Sequence, residues 1–302
     1  MAIILANDSM DQNAAKALKE RGHDLIEHHY DINELKEKIK EVDIVIVRSA
    51  TKIREELIDE AAKSGKLKLI IRAGVGLDNI DVEYARSKGI TVRNTPSSSS
   101  RAVAELAIGQ MLSLSRYTYI ANVTMRNGQW NKKQYKGSEL LDKNLGLIGF
   151  GRIAKETAEL ADLLGMNVFY TNRSGPKDGY DNYQYKEMDD LLKESDYISL
   201  HVPFNKEKGA VLGKEEFDKM KDGVFVVNCA RGGVVDEEAL IKALDSGKVA
   251  AAAVDVFEEE PTPNEKLYTH PKVALTPHIG GSTKEAQARI GEEIVSTVDE
   301  LF

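Results

Sequence analysis

The stretch Leu145-Gly146-Leu147-Ile148-Gly149-Phe150-Gly151-Arg152-Ile153-Ala154 decides the fold. Its apolar lead-in reads as a strand, and Arg152–Leu164 carries the periodicity of a helix. Between them Gly149, Gly151 and Ala154 satisfy G-x-G-x-x-(G/A). Such glycines alone say little, but a strand before and a helix after give them a mechanical meaning. Gly149 permits the tight turn, Gly151 lets backbone approach a pyrophosphate, and Ala154 keeps the helix close to the sheet. The helix start offers unbonded N–H groups and the positive end of the dipole to the phosphates. A dinucleotide-binding strand–turn–helix is the expectation.

Outward from this stretch the chain alternates. Towards the C-terminus, candidate strands are Leu145–Gly149, Asn167–Thr171, Tyr197–His201, Val224–Asn228, Ala250–Val254 and Val273–Leu275. Helical stretches Arg152–Leu164, Met188–Glu194, Lys214–Lys221 and Glu237–Ser246 separate most of them, and Thr283–Phe302 reads as a closing amphipathic helix. Towards the N-terminus the same pattern recurs. Ile3–Leu5, Asp24–Glu27, Val42–Val47, Leu67–Ile71 and Ile90–Val92 alternate with the amphipathic stretches 11–21, 32–41, 54–64 and 81–88. Nearly continuous apolar strands between helices specify parallel sheets covered on both faces. Residues 1–93 make one five-strand α/β unit on pattern alone.

Between the two series lies Asn94-Thr95-Pro96-Ser97-Ser98-Ser99-Ser100, a turn cluster whose serines suit a loop and a helix N-cap. Arg101–Arg126 follows as one long helix. Its first half, Ala102–Leu112, is apolar almost all round, which predicts burial in a large core or at a subunit interface.

The 302 residues suit about two domains of roughly 150 residues each. A formal net charge of −8 is unfavourable for nucleic acid or an anionic membrane. No apolar run approaches the ~18 residues of a membrane span, and the first residues lack a signal-peptide pattern. The single cysteine, Cys229, forbids an internal disulfide and fits a reducing cytoplasm. Its apolar lead-in Val224–Asn228 marks it as a buried thiol rather than a nucleophile. His28 and His29 are adjacent, but no further ligand stands at metal spacing, so no metal is expected.

In dinucleotide folds an acid at the end of the second strand reads the adenosine ribose. Here Asn172, 18 positions beyond Ala154, takes that place, with Arg173 beside it. Asn removes the repulsion a carboxylate would exert on a 2′-phosphate, and an arginine pairs well with phosphate. NAD or NADP therefore both remain open.

Several long motifs in consistent order resemble the D-isomer-specific 2-hydroxyacid dehydrogenases along nearly the whole chain. They are Ile71–Asp81, Arg126-Asn127-Gly128-Gln129-Trp130, Val226–Asp236, Ala253–Pro261 and Thr276–Ala286. Within that family the phosphoglycerate dehydrogenase branch is the nearest likeness. The resemblance implies a Rossmann cofactor domain, residues 94–282, inserted into a flavodoxin-like substrate domain, residues 1–93 plus 283–302. Both are doubly wound parallel-sheet domains.

It also implies a catalytic trio of Arg231, Glu260 and His278. Oxidising a 2-hydroxy acid removes a hydroxyl proton, which suits a histidine whose ordinary pKa lies near ~6.5. A glutamate on its other ring nitrogen would orient it, and an arginine fork matches a carboxylate. Singly, each has a plain reading as loop, solvated acid or turn. For the cofactor the expected residues are Gly149, Gly151, Arg152, Ile153, Asn172 and Arg173, then His201, Val202 and Pro203 at a strand end. Cys229, Ala230, Asp255, Gly280 and Gly281 complete them, with Asp255 near the nicotinamide. For the substrate they are Arg48 and Arg72, with backbone N–H groups of Gly74, Val75 and Gly76. Lys132 or Lys133 of a partner subunit would add charge for a phosphorylated acid.

The expected reaction is reversible hydride transfer between D-3-phosphoglycerate and NAD(P), the first step of serine synthesis. A reductase of hydroxypyruvate or glyoxylate using NADPH keeps the chemistry and changes the substrate. A non-catalytic NAD-sensing co-repressor would keep only the fold. A homodimer is expected, and serine feedback through an added C-terminal domain is not.

Overall fold

The computed structural model describes residues 1–302. The chain divides into two compact units, Met1–Ser99 with Gly281–Phe302, and Ser100–Gly280. The resemblance implies these divisions at 93/94 and 282/283; the structure sets them at 99/100 and 280/281.

The first unit runs β1 (Ile3–Ala6), α1 (Gln12–Glu20), β2 (Asp24–Glu27), α2 (Ile32–Lys38), β3 (Ile44–Val47), α3 (Glu55–Ser64), β4 (Leu69–Arg72), α4 (Val82–Ser87) and β5 (Thr91–Asn94). Its strands pair in the order β2-β1-β3-β4-β5, all parallel, the flavodoxin-like order. The central strand β3 is buried at every residue, as its Ile-Val-Ile-Val run requires. Local chemistry sets the helix starts. Asp11 accepts the N–H groups of Asn13 and Ala14, and Asp31 forms a reciprocal capping box with Glu34.

The second unit opens with α5 (Ser100–Ser115) and α6 (Thr118–Arg126). The single long helix expected over 101–126 is thus two. Tyr117 adopts a left-handed backbone, φ 57°, which stops the helical ladder without any glycine or proline to announce it. Then follow β6 (Asn144–Ile148), α7 (Arg152–Leu163), β7 (Asn167–Thr171), β8 (Gln184–Tyr185), α8 (Met188–Glu194), β9 (Tyr197–Leu200), α9 (Lys214–Lys219), β10 (Val224–Asn228), α10 (Glu237–Ser246), β11 (Val249–Val254), α11 (Glu265–Tyr268) and β12 (Val273–Leu275). The seven strands lie in the order β12-β11-β10-β9-β6-β7-β8, all parallel. Strand order reverses between β6 and β9, so the Gly149 turn stands at the switch point where such sheets bind ligands. The apolar face of α5 is spent inside this unit: Val103, Ala107, Ile108, Met111 and Leu114 join the core that holds Leu145, Leu147 and Ala154.

The final helix α12 (Lys284–Leu301) belongs to the first unit. Its Ile290, Ile294, Val295 and Val298 share one core with Ile4, Leu18, Ile44 and Ile71. Thr283 caps it through the Ala286 N–H. Ser98 does not cap α5; its hydroxyl turns to Glu293 of α12, and Arg289 donates to the Ser98 carbonyl.

Candidate active site

The glycine turn is shaped for close backbone approach. Gly149 has φ +91°, and a Cβ there would lie 2.5 Å from the His201 carbonyl oxygen. Gly151 is the N-cap of α7, and a Cβ there would meet nothing within 4 Å. The space before that helix is therefore open, and no side chain caps its first turn. Ala154 is fully buried against the sheet. Open space, uncapped N–H groups and a close-packed third position fit a dinucleotide pyrophosphate. Arg152 is exposed and Ile153 half-buried at the same turn.

At the end of β7 the side chain of Asn172 is engaged locally. Its Nδ2 donates to the Gly175 carbonyl, and its Oδ1 accepts from the backbone N–H and hydroxyl of Ser174. Arg173 is exposed and makes no hydrogen bond or ion pair. The residue beside Asn172, not Asn172 itself, has its polar groups unengaged.

His201 donates to or accepts from the Ser199 hydroxyl at 3.0 Å. Burial pushes its imidazole down to about 4, so it is neutral near pH 7. Val202 is half-buried and Pro203 exposed. Cys229 is buried, and burial pushes its thiol up, with the charge of Asp255 adding to the effect. It is no nucleophile. Ala230 is buried beside it, its N–H bonded to Asn228 Oδ1, while Asn228 Nδ2 donates to the Arg231 carbonyl. Asn228 thus shapes the turn that presents Arg231, a role its place at the end of an apolar strand did not announce.

Asp255 is almost wholly buried. Its Oδ1 accepts the Thr276 hydroxyl at 2.6 Å and the Ile279 N–H at 2.8 Å; its Oδ2 accepts the Gly280 N–H at 2.9 Å. Both oxygens therefore grip the segment that carries His278. That residue stands in the left-handed region, φ 52°. Its Nδ1 meets Glu260 Oε2 at 2.8 Å and Oε1 at 3.1 Å. With Nδ1 so occupied, Nε2 is the ring nitrogen left for other chemistry. Burial alone would raise the Glu260 carboxyl. The hydrogen bond and charge of His278, the Phe257 N–H and the charge of Arg231 outweigh it and hold the group below its ordinary value. Arg231 Nη1 bonds the Ala230 carbonyl at 2.6 Å. The second unit thus brings Arg231, Glu260 and His278 into one electrostatic group.

In the first unit, Arg48 follows β3 and Arg72 ends β4. Asp8 accepts the Arg48 N–H at 2.6 Å, and Asn79 Nδ2 donates to the Arg48 and Thr51 carbonyls. The Arg48 guanidinium bonds Gln287 Oε1, a neutral partner. It borders a cleft of ≈ 710 Å³ whose wall includes Asn13, Ser282 and Lys284 and also the acids Asp11 and Glu285. In the 73–76 loop the carbonyls are engaged inward. Gly74 O accepts the Thr95 N–H and Val75 O accepts Asn94 Nδ2. The Gly74 N–H, expected for the substrate, is instead donated to the Arg72 carbonyl at 2.8 Å, whereas the Val75 and Gly76 N–H groups have no backbone partner. Gly74 has φ +148°, and a Cβ there would overlap Arg72 Nη1 at 1.4 Å. Asp8, Asn79 and Asn94 went unread in the sequence, because their roles rest on partners distant in the chain.

Comparison with known proteins agrees with this geometry. The family model for the D-isomer specific 2-hydroxyacid dehydrogenase NAD binding domain matches residues 108–280. A hydroxypyruvate reductase of Thermotoga maritima is 47% identical over 296 residues, covering 97% of this chain and 95% of the relative. A D-3-phosphoglycerate dehydrogenase of Methanocaldococcus jannaschii is 42% identical over 305 residues, covering 100% of this chain. This chain spans 58% of that relative's length. The solved structure of a glyoxylate reductase from Paecilomyes thermophila superposes with a TM-score of 0.89 at 33% identity, covering 99% of this chain and 94% of that one. The chain belongs to the D-isomer-specific 2-hydroxyacid dehydrogenase family. It is an oxidoreductase with an NAD-binding domain, and its chemistry is that of 2-hydroxy acids.

Proposed function

We propose that this dehydrogenase acts on a short D-2-hydroxy acid with an anionic group at carbon 3, D-3-phosphoglycerate foremost, as in the first step of serine synthesis. Arg48 carries the reading. Its guanidinium is bonded by the neutral Gln287 and by no carboxylate, so its charge is kept for an anion. Arg72 is the second cation of the same unit. The free N–H groups of Val75 and Gly76 suit the substrate carboxylate.

Arg231 would bind the carboxylate and polarise the C2 oxygen. His278 would take the hydroxyl proton at Nε2 during oxidation and return it during reduction. Glu260, on Nδ1, orients the ring and stabilises its charged form. When bound, the nicotinamide supplies the hydride acceptor. Gly149, Gly151, Arg152 and Ile153 would hold the pyrophosphate. His201, Val202, Pro203, Cys229, Ala230, Asp255, Gly280 and Gly281 would line the rest.

A second reading, reduction of hydroxypyruvate or glyoxylate with NADPH, is favoured by the unpaired, exposed Arg173 and by the Thermotoga maritima relative. Steady-state reduction of 3-phosphohydroxypyruvate, hydroxypyruvate and glyoxylate, each with NADH and NADPH, separates the two. Preference for the phosphorylated acid, lost on Arg48→Gln, is the expected result. Equal or better turnover of the unphosphorylated acids with NADPH overturns it.

A homodimer fits α6, which has no buried residue, and the exposed Val123, Met125 and Trp130. A stable, active monomer on gel filtration would remove that inference. No helix is long and apolar enough to cross a membrane, and a cytoplasmic enzyme fits the lone thiol.

A further inference from the structure

We propose that Glu237, at the first turn of α10, is a positioning residue for Glu260, tethering the segment that carries it. The proposal rests on the reading of Glu260 and His278 as the acid–base pair.

Glu260 lies between β11 and α11, in a stretch without regular structure. Glu260 is itself one-third exposed, so its own burial cannot fix it. One carboxylate outside the segment hydrogen-bonds it at two points. Glu237 Oε1 accepts the Glu258 N–H at 3.0 Å, and Oε2 accepts Asn264 Nδ2 at 2.6 Å. Glu258 returns the bond, its Oε1 accepting the Glu237 N–H at 3.4 Å. The two tethers bracket Glu260. Glu237 is only 9% exposed, and a carboxylate so buried is retained where its hydrogen bonds satisfy it. Immediately before the bracket, Phe257 N–H donates to Glu260 Oε1 and turns the carboxylate towards His278. Glu237 touches neither member of the pair and acts only through the backbone between 258 and 264.

Other carboxylates face the same helix start. The Glu258 carboxyl is pushed up, first by burial, with the charges of Glu237, Asp236 and Glu238 adding. A change at Glu237 therefore also relieves Glu258, and the experiment must separate the two effects.

The test compares pH profiles of kcat for wild type, Glu260→Gln, Glu237→Ala and Glu237→Gln, with the cofactor Kd of each. Gln at 237 still accepts the Glu258 N–H but sets an amide against Asn264, so it removes one tether. Glu260→Gln is expected to displace one limb of the profile. Glu237→Ala should displace it in the same direction by at least half as much, and Glu237→Gln by less. Cofactor Kd should stay within about twofold. In the Glu260→Gln background, Glu237→Gln should add no displacement. If Glu260→Gln moves the limb and neither Glu237 variant does, the positioning role is refuted. A displacement that persists without Glu260 refutes it too, and assigns the effect to Glu258. If Glu260→Gln itself leaves the profile in place, the acid–base reading falls instead. Should Glu237→Ala fail to fold, Glu237→Gln and Asn264→Ala carry the same comparison.

Discussion

The backbone of Gly232 lies directly against the carbonyl of Phe257: a Cβ on Gly232 would sit 1.7 Å from that oxygen. This contact joins the turn presenting Arg231 to the segment presenting Glu260. Neither side of it is a flexible side chain, so neither can yield cheaply. Gly232→Ala should destabilise the protein by about 1–3 kcal/mol and remove most turnover. Urea denaturation and steady-state kinetics check it. Wild-type stability in the variant would mean the two segments move apart freely.

Gly151→Ala should behave in the opposite way. A Cβ there meets open space, so the melting temperature should hold. Yet the methyl group enters the region before α7 where backbone must approach the pyrophosphate. Cofactor Kd should rise by about tenfold or more, a loss of about 1.4 kcal/mol, measured by fluorescence titration. An unchanged Kd would place the pyrophosphate elsewhere.

His278→Ala and Arg231→Ala should each lower kcat by about 10²- to 10⁴-fold while cofactor binding persists. Both side chains lie outside the glycine turn. Near-normal turnover in either variant would refute its assignment.

Acid should weaken the fold in two windows. His201 is held down to about 4, whereas an unfolded histidine titrates near about 6.5. Between these values the unfolded chain binds a proton that the folded chain refuses, so stability falls as pH falls. Glu260 is held below its ordinary value. Its contribution is complete above the unfolded value, about 4.3, and is lost as pH falls through the lower folded one. Urea titrations from pH 8 to 4 should show His201→Gln losing less stability than wild type below about pH 6.5. Parallel curves would contradict the burial of a neutral imidazole.

Asn172→Asp should shift preference towards NAD, by charge repulsion of a 2′-phosphate. The substitution also removes the donor that Nδ2 presents to Gly175, loosening the turn. Arg173→Ala, which disturbs no contact, should lower kcat/KM with NADPH more than with NADH. An unchanged ratio in both variants would show that this turn does not select the cofactor.

Much of the architecture was legible because it is written in local pattern. Strands such as Asn167–Thr171 and Val224–Asn228 stand out as apolar runs bounded by turns, and their ends coincide with the observed ones. The strand Gln184–Tyr185 was not legible: it has two residues, neither buried, at the sheet edge. The helix Glu265–Tyr268 is too short to show a period. The break at Tyr117 depends on one backbone angle in a residue type that does not favour it. The site divides similarly. Glycine spacing exposes the turn after β6, because its chemistry is contiguous in sequence. The grip of Asp255 on the His278 segment spans more than twenty residues and leaves no local trace. The local engagement of Asn172 is of the contiguous kind, since the Ser174-Gly175 that follows it is what such a turn requires.

The placement of α12 has a consequence for biogenesis. The sheet of residues 1–99 is synthesised first, but one of its faces is covered by Ile290, Ile294, Val295 and Val298. A ribosome must add some 180 residues of the second unit before that cover emerges, many seconds at ordinary elongation rates. Throughout that interval α1 covers that face only in part, through Ala14 and Leu18, and the remainder is apolar surface without its partner. The unit begun first is therefore completed only after the whole of the second unit has been made.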